Sequence, residues 1–130
     1  MNSINAIIKE LNVKVVCSPL LDKKGYCVEL LNIIVINSNL SEQQQKNVLL
    51  HELGHIAKQR HEANLYSKTE AMRLKMEHEA NEFMVNKIVN DYISNTGVEI
   101  SDVNYQNFAI NNSIDASLVK DVLKKKYNLH

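Results

Sequence analysis

Residues 41–56 read SEQQQKNVLLHELGHI, and the rest of the chain is best understood outward from this stretch. Ser41, followed three positions later by Gln44, forms a capping box: each side chain can satisfy a backbone N–H that the first helical turn leaves unpaired. Apolar residues then recur at Leu49, Leu53 and Ile56, the spacing of one helical face, so a helix of about 16 residues is expected. Inside it stands His51-Glu52-Leu53-Gly54-His55. Positions four apart lie one turn apart on the same face, so the two imidazoles converge on a single ion. Glu52 is turned about 100° away, near such an ion but badly placed to ligate it, where a general base acting on a water belongs. Neutral imidazole suits this chemistry because it holds Zn2+ without cancelling the charge that acidifies water. Leu49, Leu53 and Ile56 fall opposite the histidines, so the far side of the helix is expected to be buried and the histidine side to line a cleft. Gly54 permits another backbone to come close.

Two His ligands make an incomplete catalytic centre, and a third protein ligand is expected with one position left open. A second helix, predicted over residues 68–94 and stopped near 95–97, offers Glu77-His78-Glu79-Ala80-Asn81-Glu82. With 100° per residue and Glu77 at zero, Leu74, Asn81, Met84, Val85 and Ile88 all fall within about 80° of it, whereas Glu79 and Glu82 share the opposite arc with Lys75 and Asn86. A carboxylate inside an apolar stripe is costly unless it is paired or metal-bound, so Glu77 is favoured as the third ligand over His78 and Glu79. Asn81, one turn on, can hold a ligating imidazole by its other nitrogen or serve as a core amide satisfied by backbone.

HELGH at 51–55, EHEANEF at 77–83 and the lead-in IVIN at 34–37 resemble the ImmA/IrrE family of metallo-endopeptidases over roughly residues 13–90. The resemblance implies a zinc-type site, with Zn2+ or Mn2+ held by His51, His55 and Glu77 and with Glu52 as general base. The Glu77 to Asn81 spacing is also similar to that of gluzincins, in which the later residue orients a ligating histidine. It further implies a protein substrate, a helix-turn-helix repressor of a mobile element such as a phage or of a stress response, cleaved in the cytoplasm. The alternative is a metal-holding interaction module that acts as an antirepressor by binding without cutting.

The flanking segments point to an α+β, zincin-like fold. Residues 4–11 carry Ile4, Ile7, Ile8 and Leu11 at helical spacing, and residues 13–17, 26–31 and 33–36 read as strands broken by Pro19, Asp22 and Gly25. A small, mainly antiparallel sheet of about three strands is therefore expected on about five helices, the HExxH helix being central. The strand at 33–36 is a candidate edge for an extended peptide, though most such strands are core. Residues 59–68 read as a loop, with a second capping box from Ser67 to Glu70. Two short helices should follow Ser101 and Asp115, both good caps. One domain fits 130 residues, with a catalytic core at 1–94 and a helical extension at 95–130.

Fifteen Lys+Arg against fifteen Asp+Glu leave no net field to draw the chain to nucleic acid. The run Lys124-Lys125-Lys126 reads as a solvated face near a helix C-terminus rather than a phosphate contact. Cys17 and Cys27 lack CxxC partners and read as reduced strand residues. The N-terminus carries no apolar leader, and no run of apolar residues is long enough for a membrane span. His61 reads as a solvated loop residue, and Tyr66 and Tyr105 as packing residues or, less simply, oxyanion donors.

Overall fold

The computed structural model describes residues 3–59 and 70–128. Helix α1 (Ser3–Leu11) precedes strands β1 (Lys14–Ser18), β2 (Gly25–Val28) and β3 (Ile33–Asn37). Helices α2 (Glu42–Gln59), α3 (Glu70–Thr96), α4 (Tyr105–Asn112) and α5 (Ala116–Asn128) follow, with short 3-10 turns at Glu29–Leu31 and Ile100–Asp102. Helix α2 begins as its capping box dictates. The Gln44 N–H donates to Ser41 Oγ at 3.1 Å, and the Ser41 N–H donates to Gln44 Oε1 at 3.1 Å. From there α2 packs on α1, α3, β2 and β3, and so occupies the middle of the molecule.

The three strands form one sheet in the order β1-β3-β2. It is α+β as expected but mixed: β3 runs antiparallel to β2 and parallel to β1, with Val16 opposite Val35 and Tyr26 opposite the same residue. The strand at 33–36 is therefore no edge; it lies between the other two. Its near-continuous apolar run suits that place, since the inward Ile34 and Ile36 are fully buried against the helices. Asn37 secures the loop between β1 and β2, donating from Nδ2 to the Lys23 carbonyl at 3.1 Å. Cys17 and Cys27 sit on the two outer strands with β3 between them.

The core gathers Ile34 and Ile36, Leu50, Leu53 and Ile56 of α2, Val85, Ile88 and Val89 of α3, and Phe108, Val119 and Val122 from the last two helices. Leu50, rather than Leu49, is the deepest of the α2 leucines beside Leu53. On α3 the expected stripe begins late: Leu74 is 64% exposed, and burial starts at Met76. Residues 70–75, the first turns of α3, are all exposed whatever their side chains. The helix stops at Gly97, whose φ of +73° and N–H bond to the Ile93 carbonyl form a left-handed terminus.

Asp115 caps α5 through the Ser117 N–H at 2.8 Å. The helix before it is capped by Asn104, which accepts from the N–H groups of Gln106 and Asn107 at 3.1 Å, and not by Ser101. Ser101 lies in the 3-10 turn instead. The loop at 59–68 and the Ser67 capping box lie outside the described residues, apart from the first position. Among the described residues no helix is long and apolar enough to cross a membrane.

Candidate metal centre

Helices α2 and α3 come together at Gly54 and Ala80. A Cβ on Gly54 would stand 3.0 Å from the Ala80 carbonyl oxygen, and 3.1 Å from both Ala80 Cα and Phe83 Cβ, so the close approach depends on glycine. Ala80 is itself fully buried. This crossing carries Glu77, one turn earlier on α3, over the α2 face that bears both histidines.

Each imidazole presents Nε2 to a different oxygen of Glu77: His51 to Oε2 at 3.0 Å and His55 to Oε1 at 2.9 Å. The two rings meet edge to face, with centroids 4.8 Å apart. The donor atoms of all three residues lie within 4.8 Å of one another. The ligands of a Zn2+-sized ion stand roughly 3.4 Å apart, so separations of up to 4.8 Å would have to close by about 1.4 Å or less to seat one. Two imidazole nitrogens and one carboxylate are also the right donor chemistry for such an ion, and His51, His55 and Glu77 thus fit the group their spacing suggested. The rivals lie elsewhere. His78 Nε2 is 3.2 Å from Glu82 Oε2, and Glu79 pairs along the helix with Lys75 at 3.9 Å.

Glu77 is more open than the stripe on α3 suggested, its side chain 54% exposed against 24% and 21% for the imidazoles. It bounds the solvent side of the cluster, and the far side is closed by the helices. Glu52 is the inner carboxylate. Its Oε2 is buried and has no hydrogen-bond partner among the described residues. Burial pushes its carboxyl above the usual glutamate range; His55 and His51 pull against that shift, the Glu77 charge adds to it, and Lys23 opposes it.

Beside this cluster opens a cavity of about 430 Å³ whose walls include His51, Glu52, Asn81 and Met84. Asn81 thus shares the space of the two motifs. Tyr105 does not: it opens α4, with Lys120 Nζ 5.6 Å from its ring centre. His61 and Tyr66 lie outside the described residues. A residue not singled out from sequence is Asn47, the only buried polar side chain among the described residues. Its Nδ2 donates to the carbonyls of Asn112 at 2.7 Å and Ser113 at 3.3 Å, and its Oδ1 accepts from Gln43 Nε2 at 2.9 Å. The signal was present, because Gln43, Asn47, His51 and His55 follow one another at four-residue spacing on one face of α2.

Compared with known families, the sequence matches the IrrE N-terminal-like domain, Peptidase_M78, over residues 8–92. A comparison with curated proteins yields no match. The matched segment holds all three converging donors, Glu52 and Asn81, and ends before α4 and α5. Since that segment is more than half of its length, the chain belongs to the IrrE N-terminal-like family of metal-dependent peptidases.

Proposed function

We propose that this chain is a metal-dependent endopeptidase acting on a protein substrate, with His51, His55 and Glu77 as ligands of one divalent ion and Glu52 as general base. The ion is Zn2+ by the preference of a mixed nitrogen and carboxylate set, with Mn2+ the alternative. The observation that carries the reading is the meeting of two Nε2 atoms with the two oxygens of one carboxylate, 2.9 and 3.0 Å away, next to a buried glutamate oxygen that has no partner among the described residues.

When bound, the ion supplies Lewis-acid polarisation of the scissile carbonyl and lowers the pKa of water. Glu52 then accepts a proton from the attacking water and delivers it to the leaving amine nitrogen. The upward direction in which burial moves its pKa makes it a stronger base for the first half of that exchange. Asn81 steadies a ligating imidazole from the cavity wall. By resemblance, the substrate is a helix-turn-helix repressor of a mobile element or stress response, met in the cytoplasm.

The test pairs metal content with cleavage. Wild type purified without added metal should carry about one zinc or manganese per chain, and Glu77→Ala should lose it. Glu52→Gln should keep the ion and abolish repressor cleavage. A Glu52→Gln protein that still cuts sinks the mechanism, and equal derepression by both proteins without cutting assigns action by binding alone.

A further inference from the structure

The cavity beside Glu52 is built from two parts of the chain. One part is the ligand-bearing core: Val48, His51 and Glu52 of α2 with Met84 of α3. The other is the turn between α4 and α5, which contributes Ile114, together with the start of α5, which contributes Leu118; both lie beyond the matched family segment. Val48, Met84, Ile114 and Leu118 make a wall of four apolar side chains against the general base. Met84 is buried, and the other three are half-buried, covered enough to hold a shape and open enough to be touched. Exposed Lys24 and Asp115 also border the cavity, as do Asn47, Asn81 and Ser113, so polar groups share its lining with the four apolar side chains.

The turn is held firmly in place. Ser113 adopts a left-handed conformation with φ of 57°, and the Asn47 amide binds the Asn112 and Ser113 carbonyls from α2, one helical turn before His51. A buried amide with both ends satisfied fixes one element against another more narrowly than apolar packing does. A cavity of about 430 Å³ in which four apolar side chains stand among polar groups can enclose a small apolar group and orient it.

We propose that this cavity is the specificity pocket of the enzyme: it takes the apolar side chain of the substrate residue next to the scissile bond, and Ile114 and Leu118 set which side chains fit. The proposal rests on the endopeptidase reading. A pocket that borders both His51 and Glu52 receives the group nearest the bond being cut, and its apolar wall favours Leu, Ile, Met or Phe over charged residues or glycine.

The test uses the full chain loaded with zinc and a randomised peptide mixture, the cut ends being read by mass spectrometry. Wild type should prefer large apolar residues by about tenfold or more at one position flanking the cut, since single methylenes in such pockets discriminate by roughly 10–200-fold. Leu118→Trp, which fills the pocket, should move that preference to Ala and Val, and Leu118→Ala should widen it toward Phe, both with metal content unchanged. Cleavage with no apolar preference, or with one that neither variant moves, overturns the pocket and leaves the endopeptidase reading intact. If nothing is cut, that reading fails, and the pocket is decided by titrating N-acetyl-leucinamide into the metal-free protein while following the Ile114 and Leu118 methyl resonances. Saturable shifts that are absent with N-acetyl-glycinamide and lost in Leu118→Trp support it; their absence overturns it.

Discussion

Replacing Glu77 with alanine removes the one carboxylate that touches both imidazoles among the described residues. Metal affinity should fall by more than the roughly 10–100-fold that loss of an outer-shell partner costs. Asn81→Ala should fall within that range, and competition with a chromogenic chelator measures both. Glu52 adds a stability effect. Because burial raises its folded pKa above the unfolded value, its ionised form destabilises the metal-free fold; the penalty is absent below the unfolded value near 4.5 and full above the folded pKa. Glu52→Gln should therefore raise the urea midpoint of metal-free protein at pH 7, and the gain should shrink as the pH is lowered. At this scale the sequence was informative wherever spacing alone sets a position: His51, His55 and Glu52 follow from one helical turn. Glu77 was chosen for a reason that proved incomplete. Its wheel position faces the histidines, yet the apolar stripe does not cover it, because periodicity gives a direction around a helix and not the length over which a neighbour lies against it.

Between elements, the contact at Gly54 sets how close the ligand helices come. Gly54→Val should push α3 outward, destabilising the fold by about 1–3 kcal/mol, as overpacking does, and weakening metal binding along with it. Ser41→Ala removes the hydroxyl that accepts from the Gln44 N–H, while the backbone N–H of residue 41 still donates to Gln44, and should cost about 0.5–2 kcal/mol by urea denaturation, with the metal site unaffected. Helix α5 is docked on α3 partly by charge: Lys125 binds Glu82 and holds its carboxyl below the ordinary glutamate range, with His78 adding to the shift. A depressed folded pKa means stability that is present above the unfolded value near 4.5 and lost as the pH falls through the folded one. The gap between wild type and Glu82→Gln, under about 1 kcal/mol for a pair of this exposure, should accordingly close on acidification. The Ser41 and Asp115 caps were legible because a cap is a local bond within three residues. The place of β3 between its neighbours was not, since strand order is decided by which surface the helices cover; Ser101 lost to Asn104 because the 3-10 turn at Ile100–Asp102 uses up the residues before the helix.

For the molecule as a whole, the balanced charge and the use of the lysine run argue one way. Lys125 is spent on Glu82, and Lys126 donates to Asn90 at 2.6 Å; burial, with Lys87 nearby, lowers the Lys126 pKa. The run read as a solvated face is thus partly a docking face. Duplex DNA should bind no tighter than the non-specific range of about 10⁻⁴–10⁻⁶ M at physiological salt, and a fluorescence anisotropy titration checks this. The Asn47 tether also has a consequence in time. His51 and Glu77 are separated by 26 positions, whereas Asn47 waits for Asn112, 65 positions later. At about 5–20 residues per second, that longer interval takes the ribosome several seconds. A nascent chain therefore holds His51, His55 and Glu77 several seconds before it holds Ile114 and Leu118, so on the proposed reading the parts that would grip an ion are made first and the wall that would govern choice is made last.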